Sequence, residues 1–86
     1  MHVRHVPNII ERQEENCYLL INRNIGQKLV LNEESFAVWK LCEDSPLENV
    51  VEEVVRIYSI DEKAAEEQIT NLMRSFHKKG FVELEE

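Results

Sequence analysis

Eighty-six residues, 43% of them hydrophobic and 31% charged, describe one small globular domain rather than a disordered or fibrous chain. No apolar stretch approaches the roughly 18 residues that span a bilayer, and the opening MHVRHVPNIIERQEEN lacks the apolar run of a signal peptide, so a cytoplasmic location without a membrane partner is expected. The formal charge of −7 is uneven: residues 1–32 balance to +1 and residues 33–86 to −8, an acidic half that repels phosphate and speaks against nucleic acid.

In chain order, Asn8-Ile9-Ile10 after Pro7 reads as a short first strand and the polar run Glu11 to Asn16 as its exit. Residues 1–6 are expected to fray. Cys17-Tyr18-Leu19-Leu20-Ile21-Asn22, aromatic and apolar with a β-branched residue, reads as a second strand. Asn22-Arg23-Asn24-Ile25-Gly26 carries the residues that tolerate the positive φ of a tight hairpin, and Gln27–Leu31 follows as a third strand. Leu29 and Leu31 share one face of it, Lys28 and Val30 the other.

The third strand passes to a helix almost without a loop. Asn32 has the side chain of an N-cap, and Glu33 and Glu34 suit the positive end of a helix dipole. Phe36, Ala37, Val38, Trp39, Leu41 and Cys42 make this helix largely apolar, with an end expected near Glu43-Asp44. Ser45-Pro46 is expected to open the next helix, serine as cap and proline at the first helical position. Leu47, Val50, Val51, Val54, Val55 and Tyr58 recur at three- and four-residue spacing along it. Asp61 caps a third helix, Glu62 to Lys79, with Ala65, Ile69, Leu72, Met73 and Phe76 as its buried stripe. Gly80 supplies a left-handed stop, and Phe81-Val82 folds back as an apolar clasp.

Chemistry is hard to find in this pattern. His2 and His5 form an HxxH, but before Pro7 in a segment expected to be loose. His77 lies among lysines at a helix end. There is no glycine-rich phosphate loop, and Cys17 and Cys42 show no CxxC spacing, so they read as free buried thiols. No catalytic residue, no metal site and no cofactor are expected, and the chain does not read as an enzyme.

The run VLNEESFAVWKLCED, followed by SPLENVVEEVVRIYSIDEKAAEEQITNLMRSFHKKGFVEL, resembles the PqqD-like family, the RiPP recognition elements of ribosomal peptide natural-product pathways. The shared pattern is the strand closing on Leu31-Asn32, the helix with Phe36, Ala37, Trp39 and Leu41, the segment Val54, Val55, Tyr58, Ile60, Asp61, and the ending Lys79-Gly80-Phe81. It covers about residues 7–84. Many members carry a glycine after the first helix, where this chain has Glu43-Asp44-Ser45.

The resemblance implies an α+β fold: a three-stranded antiparallel sheet followed by three helices, winged-helix-turn-helix-like, as one domain over 1–86. It implies a stand-alone protein that captures the leader region of a precursor peptide as an added strand on Gln27–Leu31, along the third helix. The peptide would be delivered to a separate modifying enzyme, a leader peptidase as in lasso peptide maturation or a radical maturase. The residues that would line the groove are Lys28, Leu29, Val30 and Leu31 on the strand and Ala65, Gln68, Ile69, Leu72 and Met73 on the helix. Spacing alone makes Leu29, Leu31, Ile69 and Leu72 equally good core residues, and makes Asp61, Glu62, Glu66 and Glu67 a solvated face rather than a contact for basic leader residues. Two other readings stand beside this one: a winged-helix DNA-binding regulator, which would need a basic recognition helix, and a subunit that docks on an enzyme without binding peptide.

Overall fold

The computed structural model describes residues 1–86 as six strands and three helices around one hydrophobic core. Strands β2 (Ile9–Gln13), β3 (Tyr18–Asn22) and β4 (Gln27–Leu31) form an antiparallel meander in the order β2-β3-β4. This is the expected three-stranded sheet, with its first strand running three residues further into the polar segment than sequence suggests. Ile9 lies opposite Asn22, and Tyr18 opposite Leu31.

A second antiparallel sheet was not foreseen. Its central strand is β1 (His2–His5), flanked by β5 (Asp44–Pro46) and β6 (Val82–Glu85). The expectation that residues 1–6 fray is therefore corrected. Val3 is fully buried, and β1 pairs with segments about 40 and 80 positions away, Val3 facing Ser45 on one side and Leu84 on the other. With only one apolar residue in HVRH, no local pattern announces such a strand.

The helices are α1 (Glu33–Leu41), α2 (Leu47–Tyr58) and α3 (Glu62–Lys78). Asn32 caps α1, its Oδ1 accepting from the Ser35 amide at 2.8 Å, and Asp61 caps α3 through the Ala64 amide at 3.1 Å. Ser45 does not cap α2. Residues 44–46 are drawn into β5, and the Ser45 hydroxyl turns back to the Leu41 carbonyl, at 3.4 Å. The Leu47 amide is satisfied instead by the Met1 carbonyl at 2.8 Å, so β1 does the work of a cap.

Trp39, fully buried, organises the centre. His5 stacks on its face with ring centroids 3.4 Å apart, and Phe76 and Phe81 meet it edge-on at 5.7 and 6.5 Å. Its Nε1–H donates to Glu11 Oε2 at 2.9 Å, and Lys40 reaches the other oxygen of Glu11 at 2.8 Å. Burial pushes the Glu11 carboxyl up, but the hydrogen bonds from Lys40 and Trp39 outweigh it and hold it below the usual range. Leu20, Leu31, Val38, Val50, Val54, Ala65, Ile69, Met73 and Val82 complete the interior.

Candidate functional site

Strand β4 ends its sheet, with β3 on one side and no strand on the other. Such a border presents unpaired amides and carbonyls at every second residue. Nothing in β4 blunts it: there is no proline, and Lys28 is its one charge. Its backbone approaches α3 at few points, and a trough opens between the start of the strand and the end of that helix, where Gln27 shares a hollow with Arg74, Ser75 and Lys78. The start of β4 thus lies beside the end of α3.

That alignment is fixed by Asn22 and Gly80. Asn22 is 3% exposed, the one buried polar side chain among core residues. Its Nδ2–H donates to the Gly80 carbonyl at 2.7 Å, and its Oδ1 accepts from the Asn24 amide at 3.1 Å. Gly80 has φ +90°, and a Cβ there would stand 2.5 Å from Ile25 Cδ1. Only glycine lets the end of α3 pass this close to the β3–β4 turn.

Two hollows are lined in part by α3, one shared with the start of β4 and one with α1 and α2. The first, of about 590 Å³, lies between Ile25 and Gln27 on the hairpin and Arg74, Ser75, Lys78, Lys79 and Gly80 at the end of α3. The second, of about 430 Å³, is apolar: Val38, Val54, Tyr58, Ile60, Ile69 and Leu72 line it, with Glu34, Ser35 and Gln68 at its border. The stripe Gln68, Leu72, Ser75, Lys79 along α3 connects them, at the spacing of one helical face.

The nine residues expected from the sequence divide by burial. Lys28, Val30 and Gln68 are exposed, Val30 at 64%; Leu29 and Leu72 are half-buried; Leu31, Ala65, Ile69 and Met73 are buried in the core. Of these, Gln68, Ile69 and Leu72 reach the apolar hollow. Met73, expected to line the groove, has no exposed surface, because it faces inward with Ala65 and Phe76. Lys28 and Val30 point to the face of the sheet opposite Leu29 and Leu31, away from the helices, so β4 offers the trough its main chain rather than these two side chains.

Sequence reasoning missed Asn22, Ile25, Val38, Arg74, Lys78 and Lys79. Lys79 stands at the end of the α3 stripe that begins at Gln68, and that continuity was the available signal. The acidic residues at the start of α3 turn elsewhere: Glu62 and Glu66 line a separate hollow with Leu47, Glu48, Val51 and Glu52, on the α2 side.

No histidine or cysteine lines either hollow, and no cluster of three metal-ligating side chains occurs in the chain. Cys42 is buried against the Trp39 carbonyl, and burial pushes its thiol up to about 12, so it stays protonated. No helix is long and apolar enough to cross a membrane.

The sequence pattern described as "Coenzyme PQQ synthesis protein D (PqqD)" matches residues 17–82. No curated protein matches the sequence. Three solved structures share the fold. A lasso peptide synthetase B1 complexed with its leader peptide is 20% identical with a TM-score of 0.80, over 95% of this chain and 98% of that one. TbiB1 in complex with the TbiA(beta) leader peptide is 18% identical with a TM-score of 0.83, over 96% and 98%. The PqqD truncation of Methylobacterium extorquens PqqCD, solved by NMR and described as a functional, stand-alone RiPP recognition element, is 19% identical with a TM-score of 0.77, over 96% and 89%.

Proposed function

The chain belongs to the PqqD family, and from that premise we propose that it is a non-catalytic recognition domain, which takes up the leader region of a ribosomally made precursor peptide and presents it to a separate modifying enzyme in the cytoplasm. The single observation that carries this reading is the free border of β4, whose first residue shares a hollow with the end of α3. An extended peptide added there gains main-chain hydrogen bonds from β4 and places alternate side chains toward the hollows. Two relatives of the same fold are complexes with leader peptides, which supports the same use here. Held this way, the rest of the precursor is kept at high local concentration beside the enzyme, with no chemistry asked of this chain. The enzyme partner is a peptidase or a radical maturase, and neither nucleic acid nor membrane is part of the scheme. For the trough residues the reading selects Gln68, Ile69 and Leu72 as side-chain contacts and residues 28–31 as main-chain contacts.

The test is a proline scan of β4. In an antiparallel ladder successive residues turn their N–H groups to opposite edges. Proline at Lys28, Leu29 and Val30 should therefore alternate. One parity removes a border amide and abolishes capture of a fluorescein-labelled leader peptide, read by anisotropy, while circular dichroism stays native. The other parity breaks pairing with β3 and unfolds the sheet. Full affinity in every folded proline variant refutes strand addition.

A further inference from the structure

The hollow at the end of α3 is chemically unlike the rest of the molecule. Arg74, Lys78 and Lys79 converge on it, and no acidic side chain lines it. None of the three makes an ion pair, although the chain has 17 acidic residues for 10 basic ones; the paired cations are Arg4, Arg12, Lys40 and Arg56. Lysines in a last turn are favoured by the helix dipole alone. That preference does not account for Arg74, a full turn earlier, nor for a concavity that the hairpin residues Ile25 and Gln27 close from the other side. The opposite hollow is apolar with Glu34 at its border. The trough is thus electrically polarised along its length.

Resting on the leader-binding reading above, we infer that the captured strand carries a carboxylate side chain at the end that lies against Arg74, Lys78 and Lys79, on the C-terminal side of the apolar residue it places in the Ile69–Leu72 hollow. The order follows from strand sense. Every strand pair in this chain is antiparallel. A peptide added antiparallel to β4 begins beside Leu31, where the chain passes into α1, whose Glu34, Ser35 and Val38 line the apolar hollow, and ends beside Gln27, in the lining of the basic one. From Leu72 to Lys78 the helix rises about 9 Å, which an extended strand covers in about three residues. Side chains on one face of a strand recur every second position, so the carboxylate stands two or four residues after the apolar anchor. The ligand class is an acidic-ended extended peptide, and the three cations set both its composition and its direction.

The experiment is a display selection of random 12-residue peptides on the full chain. It is run in parallel on the triple neutral variant Arg74→Gln, Lys78→Gln, Lys79→Gln and on the triple reversal Arg74→Glu, Lys78→Glu, Lys79→Glu, each checked for native circular dichroism. Peptides are scored only if the β4 proline variants that keep the native fold lose them. Expected is enrichment of Asp or Glu two or four residues after an apolar or aromatic position on the native chain, no preference there on the neutral variant, and Lys or Arg there on the reversed one. The enriched peptides should bind the neutral variant about tenfold more weakly, each exposed ion pair being worth about 1.5- to 5-fold. They should also weaken on the native chain in 1 M salt, where the screening length falls to about 3 Å. β4-dependent peptides without an acidic preference overturn this inference and leave the leader-binding reading standing, and acidic residues before the anchor overturn the direction. Absence of any β4-dependent peptide overturns both.

Discussion

Replacing Asn22 with alanine tests how the trough is held open. The change removes the 2.7 Å bond from Asn22 to the Gly80 carbonyl and the 3.1 Å bond from the Asn24 amide, at a side chain 3% exposed. A typical intramolecular hydrogen bond contributes about 1 kcal/mol net, and a buried group left without a partner costs about 1–3 kcal/mol. Asn24 is exposed and regains water, so its bond costs the smaller figure. Gly80 is half-buried, so the loss at its carbonyl falls toward the larger one. Together they amount to about 2–3 kcal/mol, which in a domain of this size lowers Tm by about 10–20 °C. Thermal and urea unfolding followed by the fluorescence of Trp39, the chain's one tryptophan and fully buried, reads the change directly. Ile25→Ala in the same turn, exposed and outside the bond pair, should move stability by no more than about 0.5 kcal/mol. A loss below 1 kcal/mol for Asn22→Ala, or equal losses for the two variants, would refute the argument that this amide pins the hairpin to the end of α3.

Other expectations follow from the same geometry. Gly80→Ala should cost about 1–3 kcal/mol through its φ of +90°, plus the contact with Ile25 Cδ1, and a second change Ile25→Ala should recover only the contact part in urea midpoints. Burial holds the His5 imidazole below its ordinary value although the Trp39 carbonyl opposes the shift. The unfolded chain then takes up the proton first, so stability is full above about pH 6.5 and falls as pH drops from there toward the folded-state value. His5→Phe should flatten that stretch of the urea-midpoint profile, and a slope unchanged in the variant would refute the assignment. A thiol reagent should label Cys17, half-buried in the loop before β3, ahead of Cys42, which should react only on unfolding. Equal rates for the two thiols in the native state would contradict the burial of Cys42.

The parts of this fold that were legible in the sequence are those with a local cause. Asn32 and Asp61 cap the helices that their side chains announce, Gly80 stops α3 in the left-handed region, and the Gln27–Leu31 strand lies where its alternation puts it. The second sheet was not legible because β1, β5 and β6 are three short segments stabilised by one another across the whole chain. Ser45-Pro46 carried a strong helix-start signal, and long-range pairing with β1 overrode it. At the trough, spacing could not separate Leu72, at the border, from Met73, turned into the core. A rotation of 100° separates those neighbours, and whether either meets solvent depends on the sheet and helix packed around them. The basic end escaped notice for a related reason. Lys78 and Lys79 read as dipole complements until the hairpin closes opposite them.

The central position of β1 has one more outcome. His2 stands across from Glu85, so the two termini leave the molecule as neighbours. A catalytic module joined to either end would hang from the same corner, and gene order in such a fusion would matter little to where that module sits. The same proximity means a short covalent bridge could close the backbone into a ring.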